Sequence, residues 1–264
     1  MSDSLIAVII GIVEGLTEFL PVSSTGHMIL VGSMLGFEGE KASVFEVFIQ
    51  LGAILSVFIL YRDKFFRMMD PRRFFVVDGL SAIHVAVGIV PVMAIAYMLH
   101  KPIKTYLFSP FTVIIGLIAG GILMLVAEKV AERPKTRDVD DITIKQAFFV
   151  GFFQVLSLWP GFSRSGSTIA GGLLFGMSRK AAAEFSFIIA VPIMLAACLY
   201  DLLKIWHKLS IADVQMFAIG FVTAFIIAYI SIVWFLQFLN KSTLASFAYY
   251  RFVVAALSYW YFFF

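Results

Sequence analysis

Residues 14–27 read EGLTEFLPVSSTGH, and residues 154–168 read QVLSLWPGFSRSGST. Each interrupts an apolar run with a proline, then adds hydroxyls and a glycine. The two stretches align at an offset of 140 positions. Gly11 meets Gly151, Glu14 meets Gln154, Thr17 meets Ser157, Ser23 meets Ser163 and Gly26 meets Gly166. Gly32/Gly172 and Gly36/Gly176 extend the match. Glycine is about 7% of average usage, so glycine pairs repeating at one offset argue for duplication. Farther along the offset drifts: Glu46 meets Glu184, and AVGIVPVMAIAY (86–97) overlays AIGFVTAFIIAY (218–229). The chain therefore reads as a single membrane domain made of one duplicated unit, with repeat 1 over 1–127 and repeat 2 over 146–264. The stretch 128–145 is charged, holds a proline and lacks an apolar period, so it is the expected connector.

Lipid is the solvent that this composition implies. The 264 residues are 61% hydrophobic and 14% charged, whereas soluble domains carry about 25% charge. A net charge of +3 does not point to nucleic acid. A crossing helix needs about 20 apolar residues. The candidate runs are 44–60, 79–99, 111–127, 182–203, 213–239 and 246–264. Basic residues gather in 61–75 and in the connector. Two spans separate those loops, so both are expected on one side, and the positive-inside rule makes that side cytoplasmic. Arg179 and Lys180 fit this orientation, Lys204 and Lys208 oppose it, and the C-terminus is expected outside. The lone cysteine, Cys198, reads as a packing residue.

The segments 5–36 and 146–177 are too interrupted to cross cleanly. Each reads as an apolar helix, a break and a short glycine-bearing helix, hence a re-entrant hairpin. Three crossings per half invert the second half, so 5–36 dips in from outside and 146–177 from inside. The expected fold is an all-α polytopic membrane protein of about six transmembrane helices plus two re-entrant helical hairpins, arranged as an inverted-topology repeat. Such folds place their functional site where broken helices meet, near the midplane. Non-helical backbone survives at that depth only when buried in protein or beside a wet cavity.

The breaks carry the chemistry. Glu14 and Glu18 are four residues apart on one helix face. Each ionised carboxylate at the bilayer centre costs roughly 2.5–3.5 kcal/mol. They become tolerable by binding a cation, pairing with Arg164, sharing a proton or facing water. Pro21 stops one helix, and Ser23, Ser24 and Thr25 are natural caps of the next. The free N–H groups of that helix, including the turn at Gly26, form an anion site. The second break repeats the device with Ser163, Ser165, Gly166 and Thr168 and adds the guanidinium of Arg164, suited to phosphate. Two helix starts, hydroxyls and an arginine suggest a phosphate or diphosphate ligand, with plain capping as the alternative for any one hydroxyl.

His27 follows Ser24 by three residues, a spacing that suits a nucleophile and its base, or an attacking group and an acid. Glu46, Gln50, Gln154 and Glu184 are expected to support the site. His84, His100 and His207 read as structural, and Asp201 and Arg251 as lying near span ends. Four GxxxG pairs (Gly11/Gly15, Gly32/Gly36, Gly116/Gly120, Gly172/Gly176) read as close helix packing. The sequence holds no Walker loop, CxxC pair or HExxH motif.

EGLTEFLPVSSTGH and PGFSRSGST resemble the two signatures of bacterial undecaprenyl pyrophosphate phosphatases, integral membrane enzymes of the bacitracin-resistance type. The resemblance covers essentially the whole chain. It implies removal of the terminal phosphate of undecaprenyl diphosphate, which recycles the lipid carrier for cell-wall synthesis and confers bacitracin resistance. It also implies six spans, inverted repeats, residence in the bacterial inner membrane and a site open toward the periplasmic face. Matched by position, the family's acidic pair falls on Glu14 and Glu18. Its hydroxyl cluster falls on Ser23, Ser24 and Thr25, its histidine on His27, and its arginine motif on Ser163, Arg164, Ser165 and Thr168.

Ser24 is then the expected nucleophile, activated by a Glu18–His27 network. The competing variant is a metal-assisted water, with Mg²⁺ or Ca²⁺ held by Glu14 and Glu18 through oxygen ligands. No organic cofactor is expected. The expected partners are a polyprenyl diphosphate lipid, the bilayer and a second copy of the chain, with no nucleic acid. A secondary transporter or flippase of a phosphorylated lipid or anion is the rival class. It needs anion ligands but no nucleophile–base pair. An intramembrane serine protease would want serine and histidine but has no use for Arg164.

Overall fold

The computed structural model describes residues 1–76, 79–107, 109–205 and 213–264. Among them helix dominates, and the only strand-like pairing is one bridge between Thr136 and Met177. The first expected hairpin is α1 (Asp3–Thr17) and α2 (Ser24–Met34), separated by a break that holds Pro21. The second is α7 (Ile144–Gln154) and α8 (Arg164–Leu174). Its longer break opens with a 3-10 turn (Val155–Leu158) before Pro160.

Among the described residues five helices are long and apolar enough to cross a membrane. They are α3 (Glu40–Leu60), α5 (Ala82–Tyr106, apolar over Ala82–Leu99), α6 (Pro110–Val130), α9 (Arg179–Ile205, apolar over Arg179–Leu203) and α10 (Val214–Leu239). At a rise of 1.5 Å per residue, 21 residues span about 31 Å, the thickness of a hydrocarbon core. The run expected to be the sixth span becomes α11 (Ala245–Phe263), which carries Arg251 and falls outside that set of five. A short α4 (Arg62–Met68) lies in the basic loop after α3.

Each hairpin is gripped by helices from the other half of the chain. α1 lies along α10, α7 packs on α5, and α8 packs on α6 as well as on α9. In lipid there is no water to expel between helices, so close van der Waals approach has to hold them. Gly15 shows the closeness: a Cβ there would sit 2.8 Å from the carbonyl oxygen of Ala224. Gly116 and Gly120 likewise let α6 touch the backbone of the second break. Gly36 and Gly176 depart from the packing expectation. Both have positive φ, 63° and 80°, and a Cβ at Gly36 would meet nothing within 4 Å. They end α2 and α8 in left-handed turns, a conformation that L side chains resist.

Charged ends sort the molecule into two faces. At one, Lys41 bridges Asp3 and Asp213, the starts of α3, α1 and α10. At the other, Arg179 pairs with Glu128, whose carboxylate also accepts from the Leu244 N–H. On that same face Lys64 reaches Asp140 at 2.7 Å, so the loop 61–75 meets the connector as the charge pattern requires. The connector itself is more built than expected. α6 runs on to Val130, Val139 and Ile142 are buried, and the Lys135 and Thr136 N–H groups both donate to the Gly176 carbonyl. Burial raises the Asp140 carboxyl's proton affinity, but Lys64 and Arg67 outweigh it and hold the group below its ordinary range.

Candidate functional site

The two breaks meet. Ser23 caps α2 with φ 71°, ψ 94°, and Ser163 caps α8 with φ 74°, ψ 119°. They are the only non-glycine residues with positive φ among the described residues. Each hydroxyl accepts from the N–H three residues on, Gly26 at 3.4 Å and Gly166 at 3.1 Å. Their carbonyls accept from the His27 and Ser167 N–H groups. Such sparsely populated conformations cost about 1–3 kcal/mol and persist where surrounding structure enforces them. Capping consumes some first-turn donors and leaves others: no hydrogen-bond acceptor for the N–H of Ser24, Thr25, Arg164 or Ser165 occurs among the described residues.

Glu18, at the end of α1, links the two breaks. Its Oε2 accepts from Ser24 Oγ at 2.5 Å, and its Oε1 accepts from Arg164 Nη2 at 3.1 Å. Both side chains are largely buried, 8% exposed for Glu18 and 13% for Arg164. The guanidinium is aimed by its other contacts. Nη1 donates to the Ser186 carbonyl at 3.2 Å, and Cζ lies 5.3 Å from the centre of the Phe19 ring. Glu18, Ser24 and Arg164 line a cavity of about 230 Å³ together with Ser23, Thr25, Ser163, Gln50 and Gln154. Val92, Trp159 and Met194 supply apolar wall beside them. A buried cation, an acceptor for the serine proton and unpaired amides around one hollow can bind a phosphoryl group and attack it.

Other expected site residues lie elsewhere. His27 does not line the cavity and makes no hydrogen bond to Ser24. Its Nδ1 faces the Ser23 carbonyl and its Nε2 faces the Tyr250 hydroxyl, both at 2.8 Å. Because a carbonyl only accepts, Nδ1 carries a proton. One helical turn does bring residues three apart together, but the ring points toward α11, where Tyr250 also stacks on it. The expected Glu18–His27 network is therefore replaced by Glu18 alone on Ser24. Gly26 and Gly166 spend their N–H groups on the caps. Ser165 donates across to the Leu20 carbonyl at 2.9 Å, and Thr168 bonds Ser186 at 2.6 Å. Ser165 thus ties the second hairpin to the first and Thr168 ties α8 to α9, and neither side chain lines the cavity.

Glu14 is buried behind the cavity, within electrostatic reach of Glu18, Glu46 and Arg164. Among the described residues its Oε1 has no hydrogen-bond partner, and neither the side-chain nitrogen nor the oxygen of Gln154 has one. The two residues lie 140 positions apart, the offset at which the two breaks align. Buried polar atoms without partners mark places that water, an ion or a ligand completes. For a divalent cation the fit is limited. No group of three His, Cys, Asp or Glu side chains comes together among the described residues, and both Glu18 oxygens are engaged. Glu14 Oε1 remains free for such an ion. Glu184 departs from its expected supporting role: its charged surroundings are Lys180, Asp138, Lys64 and Asp140, at the connector face. Cys198 is buried and its Sγ lies 3.5 Å from Gln50 Oε1, in keeping with packing. His84 is buried beside Ser81, as a structural histidine would be. The side chain of His100 and all of His207 lie outside the described residues.

Sequence reasoning missed Arg251. It is not at a span end but fully buried in α11. Its guanidinium donates to the carbonyls of Leu117, Gly116, Gly161 and Phe162 at 2.9–3.0 Å and reaches that of Pro21 at 3.5 Å. One side chain thus clasps both breaks and α6. A lone arginine in an apolar run was the available signal, since intramembrane cations are functional by default. Tyr250 was missed as well, and nothing in its sequence context marks it.

The sequence profile described as Bacitracin resistance protein BacA matches residues 7–257. The chain is 52% identical over 258 residues to Undecaprenyl-diphosphatase 1 of a Bacillus cereus strain, covering 97% of each chain. It is equally similar to Undecaprenyl-diphosphatase 1 of Bacillus thuringiensis (strain Al Hakam), 52% over the same coverage. The protein of that name from Bacillus anthracis is 51% identical, again over 97% of both chains.

Proposed function

The chain belongs to the bacitracin resistance protein BacA family, and on that premise we propose that it hydrolyses undecaprenyl diphosphate to undecaprenyl phosphate and inorganic phosphate. It is a multi-pass membrane protein. Recycling of the lipid carrier for cell-wall synthesis and resistance to bacitracin follow from that activity. The observation that carries the reading is the Glu18 carboxylate, which bridges Ser24 Oγ on one break to Arg164 on the other. A transporter needs no hydroxyl held against a carboxylate.

In the proposed sequence the isoprenyl tail stays in lipid while the diphosphate enters the hollow. Its terminal phosphoryl oxygens take over Arg164 and the open amides of Ser24, Thr25, Arg164 and Ser165. Glu18, released from Arg164, takes the proton from Ser24 as Oγ attacks the terminal phosphorus. The phosphorus–oxygen bond to the lipid phosphate breaks, and undecaprenyl phosphate leaves as an anion. Water then attacks the phosphoserine, Glu18 returns its proton to Ser24 Oγ as the phosphorus–Oγ bond breaks, and inorganic phosphate leaves carrying both protons of the water. Transition-state charge gathers on the phosphoryl oxygens, where fixed donors act most strongly. His27 holds the first break to Tyr250. In the competing variant Glu14 and Glu18 would hold Mg²⁺ or Ca²⁺, and the ion would supply charge neutralisation and an activated water.

The finer topology belongs to the same proposal: six spans, two re-entrant hairpins inverted between the halves, inner-membrane residence, a site open to the periplasmic face and assembly as a homodimer. The test is phosphate release from an isoprenyl diphosphate by purified protein in detergent, followed by rapid quenching and mass spectrometry of the Ser24 peptide. Turnover with phosphate on Ser24 is expected. Absence of release sinks the phosphatase reading, while full activity in Ser24→Ala would replace the serine with the water.

A further inference from the structure

A second hollow lies on the connector face, apart from the site above. It has a volume of about 480 Å³ and is lined by Arg133, Lys135 and Lys145, with Glu132 as its single acidic neighbour. Its floor is preformed. Gln146, buried in the first turn of α7, accepts from Thr136 and Thr143 and donates to the Phe175 carbonyl at 3.0 Å. That side chain locks the connector, the start of α7 and the end of α8 together.

The charges around it are unmet. Elsewhere on this face Lys64 and Arg67 pair with Asp140, and Arg179 pairs with Glu128. Arg133, Lys135 and Lys145 have no side-chain ion pair or hydrogen bond among the described residues. Exposed lysines without partners are ordinary; three bases converging on one concavity with a pinned floor are not. The wall is also amphiphilic. Val130, Leu174 and Phe175 line it, and Val130 is 61% exposed at the end of a membrane-crossing helix. Free phosphate has no use for that apolar edge, whereas a lipid places its phosphate beside its chains. Basic pockets between helices at a membrane face hold anionic head groups in this way.

We propose that this hollow binds the phosphate head group of an anionic membrane lipid, with its glycerol and upper chains against Val130, Leu174 and Phe175. The test is native mass spectrometry of the full chain from detergent, mixed with equal phosphatidylglycerol and phosphatidylcholine. One phosphatidylglycerol is expected to be retained in preference. At about 1 kcal/mol per basic residue, the R133Q/K135Q/K145Q variant should bind it about 100-fold more weakly. K145Q alone should lose roughly five-fold, and K241Q, outside the hollow, nothing. Diphosphate hydrolysis at the wild-type rate in detergent identifies the variants as folded. Equal retention by the triple variant, or no preference over phosphatidylcholine, overturns the proposal. Protection of Lys145 from amine labelling by micromolar inorganic phosphate, with none from phosphatidylglycerol, overturns it in favour of a free anion.

Discussion

The break after α1 and the break after α7 use one backbone device with different side chains. In both, a proline stops a helix and a serine with φ near 70° caps the next. The first then supplies a carboxylate, a reactive hydroxyl and a histidine, while the second supplies a guanidinium. Glu14 has an uncharged mate in Gln154, and Arg164 aligns with Ser24. The two breaks share a cap but differ in charge, so that the facing breaks attract each other through Glu18 and Arg164. Two breaks that share a cap geometry can thus form an asymmetric site through their side chains.

The most severe test of that division of labour removes the charge on one side. Arg164→Ala is expected to lower phosphate release by roughly 10²–10³-fold, the usual cost of losing one transition-state donor. Arg164→Lys should recover little, because an ammonium lacks the planar fork. Glu18→Gln should fall by a similar factor, and the double variant should be no worse than the poorer single one, since the pair acts as a unit. Wild-type rates in either single variant would erase the distinction between the breaks.

Arg251 serves both breaks, so its loss should not distinguish them. Arg251→Leu leaves several buried carbonyls without a donor and is expected to cost at least about 3 kcal/mol of stability. Thermal unfolding in detergent reads this, and limited proteolysis should cut at both breaks. Cutting at one only would show that the clasp is one-sided.

Smaller effects test the backbone device. Ser23→Ala and Ser163→Ala should each destabilise by about 1 kcal/mol, whereas the glycine variants should stay within a few tenths of wild type. Unequal alanine costs would mean that the two caps are not equivalent. Smallest is the pH response at the connector face. The Asp140 carboxyl is held below its ordinary range by Lys64 and Arg67, against the upward push of burial. A depressed folded value stabilises above the unfolded one, about 3.9, and that contribution is lost as pH falls through the folded value. Asp140→Asn should therefore flatten the acid limb of stability, modestly, because the carboxylate is 38% exposed.

Much of the site was legible because its residue types are expensive in lipid. Glu18, Ser24 and Arg164 stand out for that reason, and contact in space unites them. Local spacing misled where a side chain had two directions open to it. His27 is one turn from Ser24, yet its partner Tyr250 is 223 positions away. Ser165 and Thr168 looked like ligands for substrate, yet serve Leu20 and Ser186.

The helices, their breaks and the loops that share a face can all be read from the chain alone. Period, proline, capping hydroxyls and charge are local properties and need no knowledge of neighbours. Which polar groups meet is a matter of the folded molecule: Glu18 with Arg164, His27 with Tyr250, Arg251 with both breaks. In lipid every buried polar group has to find its partner within protein, and across one or two hundred residues only the packing of helices chooses which.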